Sequence, residues 1–392
     1  RKRIPSGCWR KHSGGSAMAL TKYRLGDLIQ QRREKYDGTE QLPSWGVSKD
    51  GFIQPRQDGA DTSIYNVYYK NDFVFNPARM ELNSIALNQY FDKAICSSLY
   101  EVFFVTRTDI VLPEYLNIYI KRDEFARKCW FEAIGSARNY FRVANLSEFE
   151  IQLPSIPIQQ KYVDIYNAML ANQQSYEKGL GDLKLVCDMY VETLKKIAPL
   201  KNLASYLILC ENVNSDLAYG ASDVRGVNNT KELMPSKSDL NGRDLSKFQI
   251  VYPGDFVFNH RTSRNGSKFS IAYNDGKSPI ICTEDYVVFR IKPEYQTQLI
   301  AQWLYMFFNR SEFDRYVITN SWGSSTEFFN FTDLCEVEIP VPDIKIQQDI
   351  VDIFKAYNTR KEIAEKLKAQ IQNICPILIK GSIEEGMRTN EA

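Results

Sequence analysis

Nine residues in the second half of the chain, His260-Arg-Thr-Ser-Arg-Asn-Gly-Ser-Lys268, hold three cations, no acid and several short hydrogen-bonding side chains. A guanidinium presents five donors in a planar fork, an asparagine amide both donates and accepts, and an ammonium is a compact positive charge. Together they can grip phosphate oxygens and the flat polar edges of bases. A loop of this kind works only when rigid elements present it, and the residues before it are unusual. Asp255-Phe-Val-Phe-Asn259 repeats, letter for letter, Asp72-Phe-Val-Phe-Asn76, which is followed by a second polar loop, Asn76-Pro-Ala-Arg-Met-Glu-Leu-Asn-Ser84.

The repeat extends over most of the chain. Gly46-Val47 answers Gly226-Val227, and Cys96…Tyr100-Glu-Val-Phe103 answers Cys282…Tyr286-Val-Val-Phe289. Further on, Glu124-Phe125 answers Glu312-Phe313, Gly135-Ser136 answers Gly323-Ser324, and Gln159-Gln160 answers Gln347-Gln348. The offset grows only from 180 to 188 while order is kept, as in a tandem duplication.

Each copy reads as a mixed α/β unit. Ile64–Tyr69, Phe73–Phe75, Gln249–Tyr252 and Phe256–Phe258 have strand composition with turn residues between, and Leu99–Val105 and Tyr286–Ile291 are apolar enough for buried strands. Helical periodicity covers Pro113–Trp130 and Thr297–Tyr316. Each unit then gives way to a long amphipathic stretch. In Ile158–Ile197, apolar residues recur at Tyr162, Ile165, Met169, Tyr176, Leu183, Cys187, Tyr190, Leu194 and Ile197. At 1.5 Å per residue this predicts a helix of roughly 60 Å. The second stretch runs Ile346, Ile350, Ile353, Tyr357, Arg360, Ala364, Leu367, Ile371, Ile374 in 4-3 alternation until Pro376, which is expected to stop it. Two such helices are expected to pack together.

Composition excludes several classes. Net charge is +1, with 25% charged and 44% hydrophobic residues, so nucleic acid is neither demanded nor forbidden: a basic face can be balanced elsewhere. Eight cysteines show no CxxC spacing, and with only two histidines, His12 and His260, a zinc site is not expected. No apolar run reaches membrane-spanning length. Residues 1–19, with Ser13-Gly-Gly-Ser16, read as an appended tag and linker. There is no Walker A loop, no Asn/Asp-Pro-Pro-Tyr/Phe site and no clustered carboxylate set. Gly179-Leu-Gly181 lies in a helical pattern, and His260 has no nucleophile or acid in sequence to partner it.

Three motifs carry a resemblance. They are Gly254-Asp-Phe-Val-Phe-Asn259 with its polar-basic loop, Gly135-Ser-Ala-Arg-Asn139, and the helix starts Pro154-Ser-Ile-Pro157-Ile-Gln-Gln160 and Pro340-Val-Pro342…Ile346-Gln-Gln348. The chain, over about residues 20–380, resembles the specificity (S) subunit of type I restriction-modification systems. The second Gly-Ser loop departs from the pattern: Gly323-Ser-Ser-Thr-Glu327 lacks the Arg-Asn pair. The resemblance implies an α+β fold of two tandem mixed α/β target-recognition domains joined by two long helices in an antiparallel coiled coil, with approximate two-fold symmetry. The expected boundaries are 20–157 for the first recognition domain, 158–198 for the central helix and 199–345 for the second domain. The C-terminal helix is then expected at 346–380, with a flexible tail at 381–392. It implies a non-catalytic, cytoplasmic subunit that reads double-stranded DNA. Two modification (methyltransferase) subunits using S-adenosylmethionine, and restriction subunits using ATP and Mg, would be its partners; this chain would bind no cofactor itself. The coiled coil would space two different half-sites.

In that setting Arg261 or Arg264 suits a guanine, Asn265 an adenine and Lys268 a phosphate, with His260 in the same loop. In the first unit Arg79 and Asn83 are the expected readers, with Asn76 beside them. Lys49 and Arg56, Arg138 and Asn139, and Ser324 and Ser325 are supporting candidates. Tyr166, Lys184 and Lys361 are candidate contacts for the modification subunits. A coiled-coil adaptor with two protein- or polymer-binding heads is the alternative; salt-dependent, sequence-selective DNA binding separates the two. A cryptic nuclease or transferase would show activity of the isolated chain with metal or methyl donor.

Overall fold

The structure, a computed structural model, describes residues 20–54, 61–133, 140–236, 239–262, 268–323 and 327–388. The chain divides into two compact units: residues up to 175 together with those from 363 onward, and residues 176–362. Each unit is therefore a globular head with part of the long helices. The C-terminal helix, Ile344–Arg388, supplies its beginning to the second unit and its end to the first.

In the first unit a four-stranded antiparallel sheet has the order β1-β4-β2-β3, from β1 (Ile29–Arg32), β2 (Asp72–Phe75), β3 (Ile85–Leu87) and β4 (Glu101–Val105). The second unit repeats it as β5-β8-β6-β7, from β5 (Leu207–Cys210), β6 (Phe256–Asn259), β7 (Ile271–Tyr273) and β8 (Tyr286–Ile291). The Phe-Val-Phe run is buried throughout in both copies, as an interior strand covered on both faces requires. Register is repeated too. Phe73 pairs with Phe103 and Phe256 with Phe289, with rings stacked at 4.8 and 5.1 Å. A paired strand closes each head beside the long helix: Leu20–Arg24 on Glu150–Pro154, and Leu200–Asn202 on Glu338–Pro340.

The first glutamine of each Gln-Gln pair explains how the heads hold their helices. Gln159 is fully buried; its Oε1 accepts from Leu112 N (3.0 Å) and its Nε2 donates to Ile110 O and Pro154 O (both 2.8 Å). Gln347 does the same with Ile300 N (2.9 Å), Gln298 O (2.7 Å) and Pro342 O (2.8 Å). Gln160 and Gln348 face outward and each donates to an aspartate one turn on, Asp164 and Asp352.

Four expectations are corrected. The single helix expected over Ile158–Ile197 is two, Ile156–Glu177 and Leu180–Ile197. They part where Gly179 takes a left-handed φ of +79°, which suits glycine because it has no Cβ. The freed Lys178 carbonyl accepts from Arg360 Nη2 at 3.4 Å. The buried face of the first central helix is also rotated from the expected seam. Val163 and Tyr166 are buried while Ile165 is 40% exposed, because this helix packs on its own head as well as on the C-terminal helix. Finally, Pro376 does not end the C-terminal helix, which runs through residue 380 to Arg388. A helix-interior proline costs about 3 kcal/mol, but burial of Leu378 and Ile379 in the first head offsets it at about 1.5–3 kcal/mol each. A hydrogen bond between Ser382 Oγ and Tyr115 Oη (2.6 Å) anchors the extension. Likewise, Pro113–Trp130 and Thr297–Tyr316 are each split into two helices: Pro113–Ile120 and Asp123–Glu132, and Ala301–Phe308 and Ser311–Thr319.

Within each unit the helix pairing is antiparallel. In the first, Lys161 and Tyr162 bond Glu385, and Val163 and Tyr166 join Ile371, Cys375 and Leu378 in one core. In the second, Arg360 reaches Lys178 while Cys187, Val191 and Leu194 share a core with Ile350, Val351 and Phe354.

Candidate nucleic-acid interface

The loop after the repeated strand starts the same way in both units. Asn76 Oδ1 accepts from Ala78 N (3.0 Å) and Asn259 Oδ1 from Arg261 N (3.0 Å), an Asx turn that sends the chain away from the sheet. The far ends return alike, Asn76 N donating to Ser84 O and Asn259 N to Ser270 O. The loop then meets the Gly-Ser segment. Phe141 N donates to Pro77 O, and Phe329 N donates to His260 O, both at 2.9 Å. The two loops singled out in each half of the sequence thus converge in each head.

In the first unit Arg79 stands exposed on this loop, and Lys49 is exposed in the turn between the strands Gly46–Ser48 and Gly51–Ile53. Asn76 and Asn83 are partly corrected as free readers. Asn76 holds its own turn, and Asn83 has a left-handed φ of +55° with its Nδ2 donating to Ile120 O (3.1 Å). Their side chains shape the loop. Arg56 and the pair Arg138 and Asn139 lie outside the described residues. Beside the loop, Glu81, Asp123, Arg127 and Trp130 line an open cleft of about 410 Å³. Arg127 and Trp130, absent from the sequence-based candidates, stand three residues apart on the helix leading into the Gly-Ser segment, a spacing legible in the sequence.

In the second unit His260 is half-buried. Its ring packs edge-on against Phe328 (5.1 Å), its Nε2 is buried, and burial, with Arg261 adjacent, lowers its pKa so that it is neutral at pH 7. Arg261 sits in a cross-strand row with Phe328, which bridges in turn to Trp322, an exposed indole. Thr262 N donates to Glu327 O (3.0 Å), fixing the same junction. Arg261 Nη2 donates to Asp285 Oδ1 at 2.8 Å. Asp285 went unremarked in the sequence; it stands just before the repeated Tyr286, where the first unit has Leu99. Lys268 is exposed at the loop's far end, whereas Arg264, Asn265, Ser324 and Ser325 lie outside the described residues. The lysine of this unit's small hairpin, Lys231, turns inward: its Nζ pairs with Asp314 Oδ1 (2.7 Å) and donates to Phe308 O, and burial lowers its pKa.

Of the helix candidates, Tyr166 is corrected. It is 6% exposed and part of the first core, and burial raises its phenol's pKa, so it is not a surface contact. Lys184 lies on the second central helix and pairs with Asp188 one turn on (2.9 Å); Lys361 lies on the C-terminal helix, half-buried. Among the described residues no group of three or more His, Cys, Asp or Glu is arranged to hold a metal, and no helix is long and apolar enough to cross a membrane.

Comparison with known proteins adds the following. Residues 224–373 match the family model of the type I restriction modification DNA specificity domain. No curated protein sequence matches the chain. Among solved structures, the S subunit of a type I restriction-modification system from M. genitalium aligns with a TM-score of 0.60 at 12% identity, over 95% of this chain and 98% of that one. The HsdS subunit from Thermoanaerobacter tengcongensis aligns at 0.38 with 16% identity, over 93% and 96%. The first of these likenesses shows the fold.

Proposed function

We propose that this chain, whose residues 224–373 match the type I restriction modification DNA specificity domain and whose fold is similar to that of an S subunit, is the DNA-recognition subunit of such a system. Each head reads one short half-site of double-stranded DNA, and because the loops differ between heads, the half-sites differ. The long helices serve as the spacer that fixes the unread gap and as the dock for two modification subunits. The chain does no chemistry. Methyl transfer with S-adenosylmethionine, and ATP- and Mg-dependent cleavage by restriction subunits, belong to its partners.

The observation that carries this reading is the convergence, on one duplicated frame, of two differently built polar loops in each head. Rigid strands and an Asx turn hold the loop bases, while the side chains beyond them are free to differ, as reading two different sequences requires. The mutual packing of Arg261 and Thr262 with the Gly-Ser segment makes one surface out of two loops.

A methylation map tests it. The chain is co-expressed with a cognate modification subunit and the host DNA is sequenced for methyladenine. The expected result is a bipartite, asymmetric motif that appears only when the chain is present. Absence of new methylation from a verified, assembled complex overturns the reading in favour of a coiled-coil adaptor.

A further inference from the structure

An acid at a DNA-reading surface repels the phosphates, so an aspartate beside a reading arginine needs a reason. Asp285 ends the turn before β8, which pairs with β6 so that Asn259 faces Tyr286. Arg261 lies two residues past Asn259, so the pair bridges the adjacent ends of neighbouring strands, and Arg261 Nη2 donates to Asp285 Oδ1 at 2.8 Å. Both remain reachable from solvent, the side chains being 31% and 54% exposed. The arginine is fixed from behind as well. Its backbone N is held by Asn259 Oδ1, its backbone bridges Phe328, and its Nε is buried. What it presents outward is its guanidinium tip, one donor of which is already spent on Asp285.

The first unit shows what the same place looks like without this arrangement. The matching Asx turn places Ala78 where Arg261 stands, and the residue before the repeated tyrosine is Leu99, which is 76% exposed. Frame and turn are shared; the cation and its acid occur together in one unit and are both missing from the other. A phosphate clamp would gain from having no acid beside it, since the neighbouring carboxylate weakens its attraction for an anion. Base reading gains from the acid instead, because discrimination depends on a guanidinium held at a fixed angle to the two acceptors of a guanine edge.

We propose that Asp285 is a positioning residue that orients Arg261 for one guanine of the second head's half-site. This rests on the DNA-recognition reading, and the test separates the two. Asp285→Ala and Asp285→Asn are assembled with the modification subunit, and two quantities are measured: the methylation motif, and binding to a random-sequence duplex at two salt concentrations. The two effects have opposite signs. Asp285→Ala binds the random duplex more tightly, having lost a negative charge, yet its motif degenerates at one guanine of one half-site, with discrimination there falling from roughly tenfold or more to about twofold. Asp285→Asn, which keeps the accepting oxygen, retains most of that discrimination. The other half-site is unchanged in both variants. A motif identical to the wild type's, with tighter random binding only, overturns the proposal and makes Asp285 a solvated surface acid. A wild-type complex that writes no bipartite motif overturns the underlying reading instead.

Discussion

The two heads neutralise the same buried carboxylate with an arginine drawn from different strands. Asp72 and Asp255 each begin the repeated strand, are almost fully buried, and cap their turn by accepting from Tyr69 N (2.8 Å) and Tyr252 N (2.9 Å). In the first unit the countercharge is Arg32 on β1, bidentate at 2.6 and 3.0 Å, with its guanidinium over the ring of Phe104 (4.5 Å). In the second it is Arg290 on β8, bidentate at 2.8 and 2.9 Å, with its Nε also 3.2 Å from Cys210 Sγ. By register, Arg32 corresponds to Cys210 and Phe104 to Arg290. The cation has changed strands while the bridge has stayed. What the frame requires is a partner for the aspartate and the backbone clamps around it. The side chains that meet that need, and the loops beyond them, vary.

The comparison can be broken most forcefully at that bridge. Arg290→Phe leaves Asp255 buried without its cation and is expected to destabilise the second unit by about 3–5 kcal/mol. Adding Cys210→Arg, which copies the first unit's arrangement, is expected to restore more than half of the loss in a double-mutant cycle by urea denaturation. No recovery would mean that the two bridges are not interchangeable. Next in size are the glutamine clamps. Gln159→Leu and Gln347→Leu each strand one amide and two carbonyls, with an expected loss of about 2–4 kcal/mol apiece; unequal denaturation midpoints for the two would deny that the clamps are equivalent. Smaller again is Gly179→Ala at the helix break. The break has no counterpart in the C-terminal helix, and about 1 kcal/mol is expected from the left-handed backbone alone.

The smallest effect concerns His260, opposite which the first unit has Pro77. Its pKa is lowered by burial in the folded state, while the unfolded chain takes up a proton near pH 6.5. Stability is therefore full above that pH and is lost as pH falls from there toward the lower folded value. His260→Gln should flatten the fall in denaturation midpoint between pH 7.5 and pH 5.5; an unchanged slope would assign it to other groups.

Much of this architecture was legible in the sequence because duplication repeats letters as well as shapes. Asp72 and Asp255, Gln159 and Gln347, and the Gly-Ser segments all announced equivalent positions. What stayed hidden was whatever depends on neighbours distant in the chain. Arg32 and Arg290 occupy different strands, so no alignment of the halves pairs them. Asp285 is an ordinary turn acid until β6 and β8 bring Arg261 beside it. Pattern also misled where packing was two-sided. Tyr166 looked like an outward residue because the seam was drawn for a helix with one neighbour, and Pro376 looked like a stop because periodicity carries no record of Leu378 and Ile379 entering a core. Asn83 read as a free amide, though an Ile120 carbonyl claims its donor.

The division of the C-terminal helix between the heads also orders events during synthesis. The second unit closes on residues 344–362, which leave the ribosome soon after the rest of it, whereas the first needs residues 363–388. A ribosome working at about 5–20 residues per second takes roughly 10–40 s to travel from residue 175 to residue 388. Through that interval Val163 and Tyr166 lack the Ile371, Cys375 and Leu378 that cover them in the finished core. The head made first is the head completed last, and its apolar flank stays uncovered in the interval.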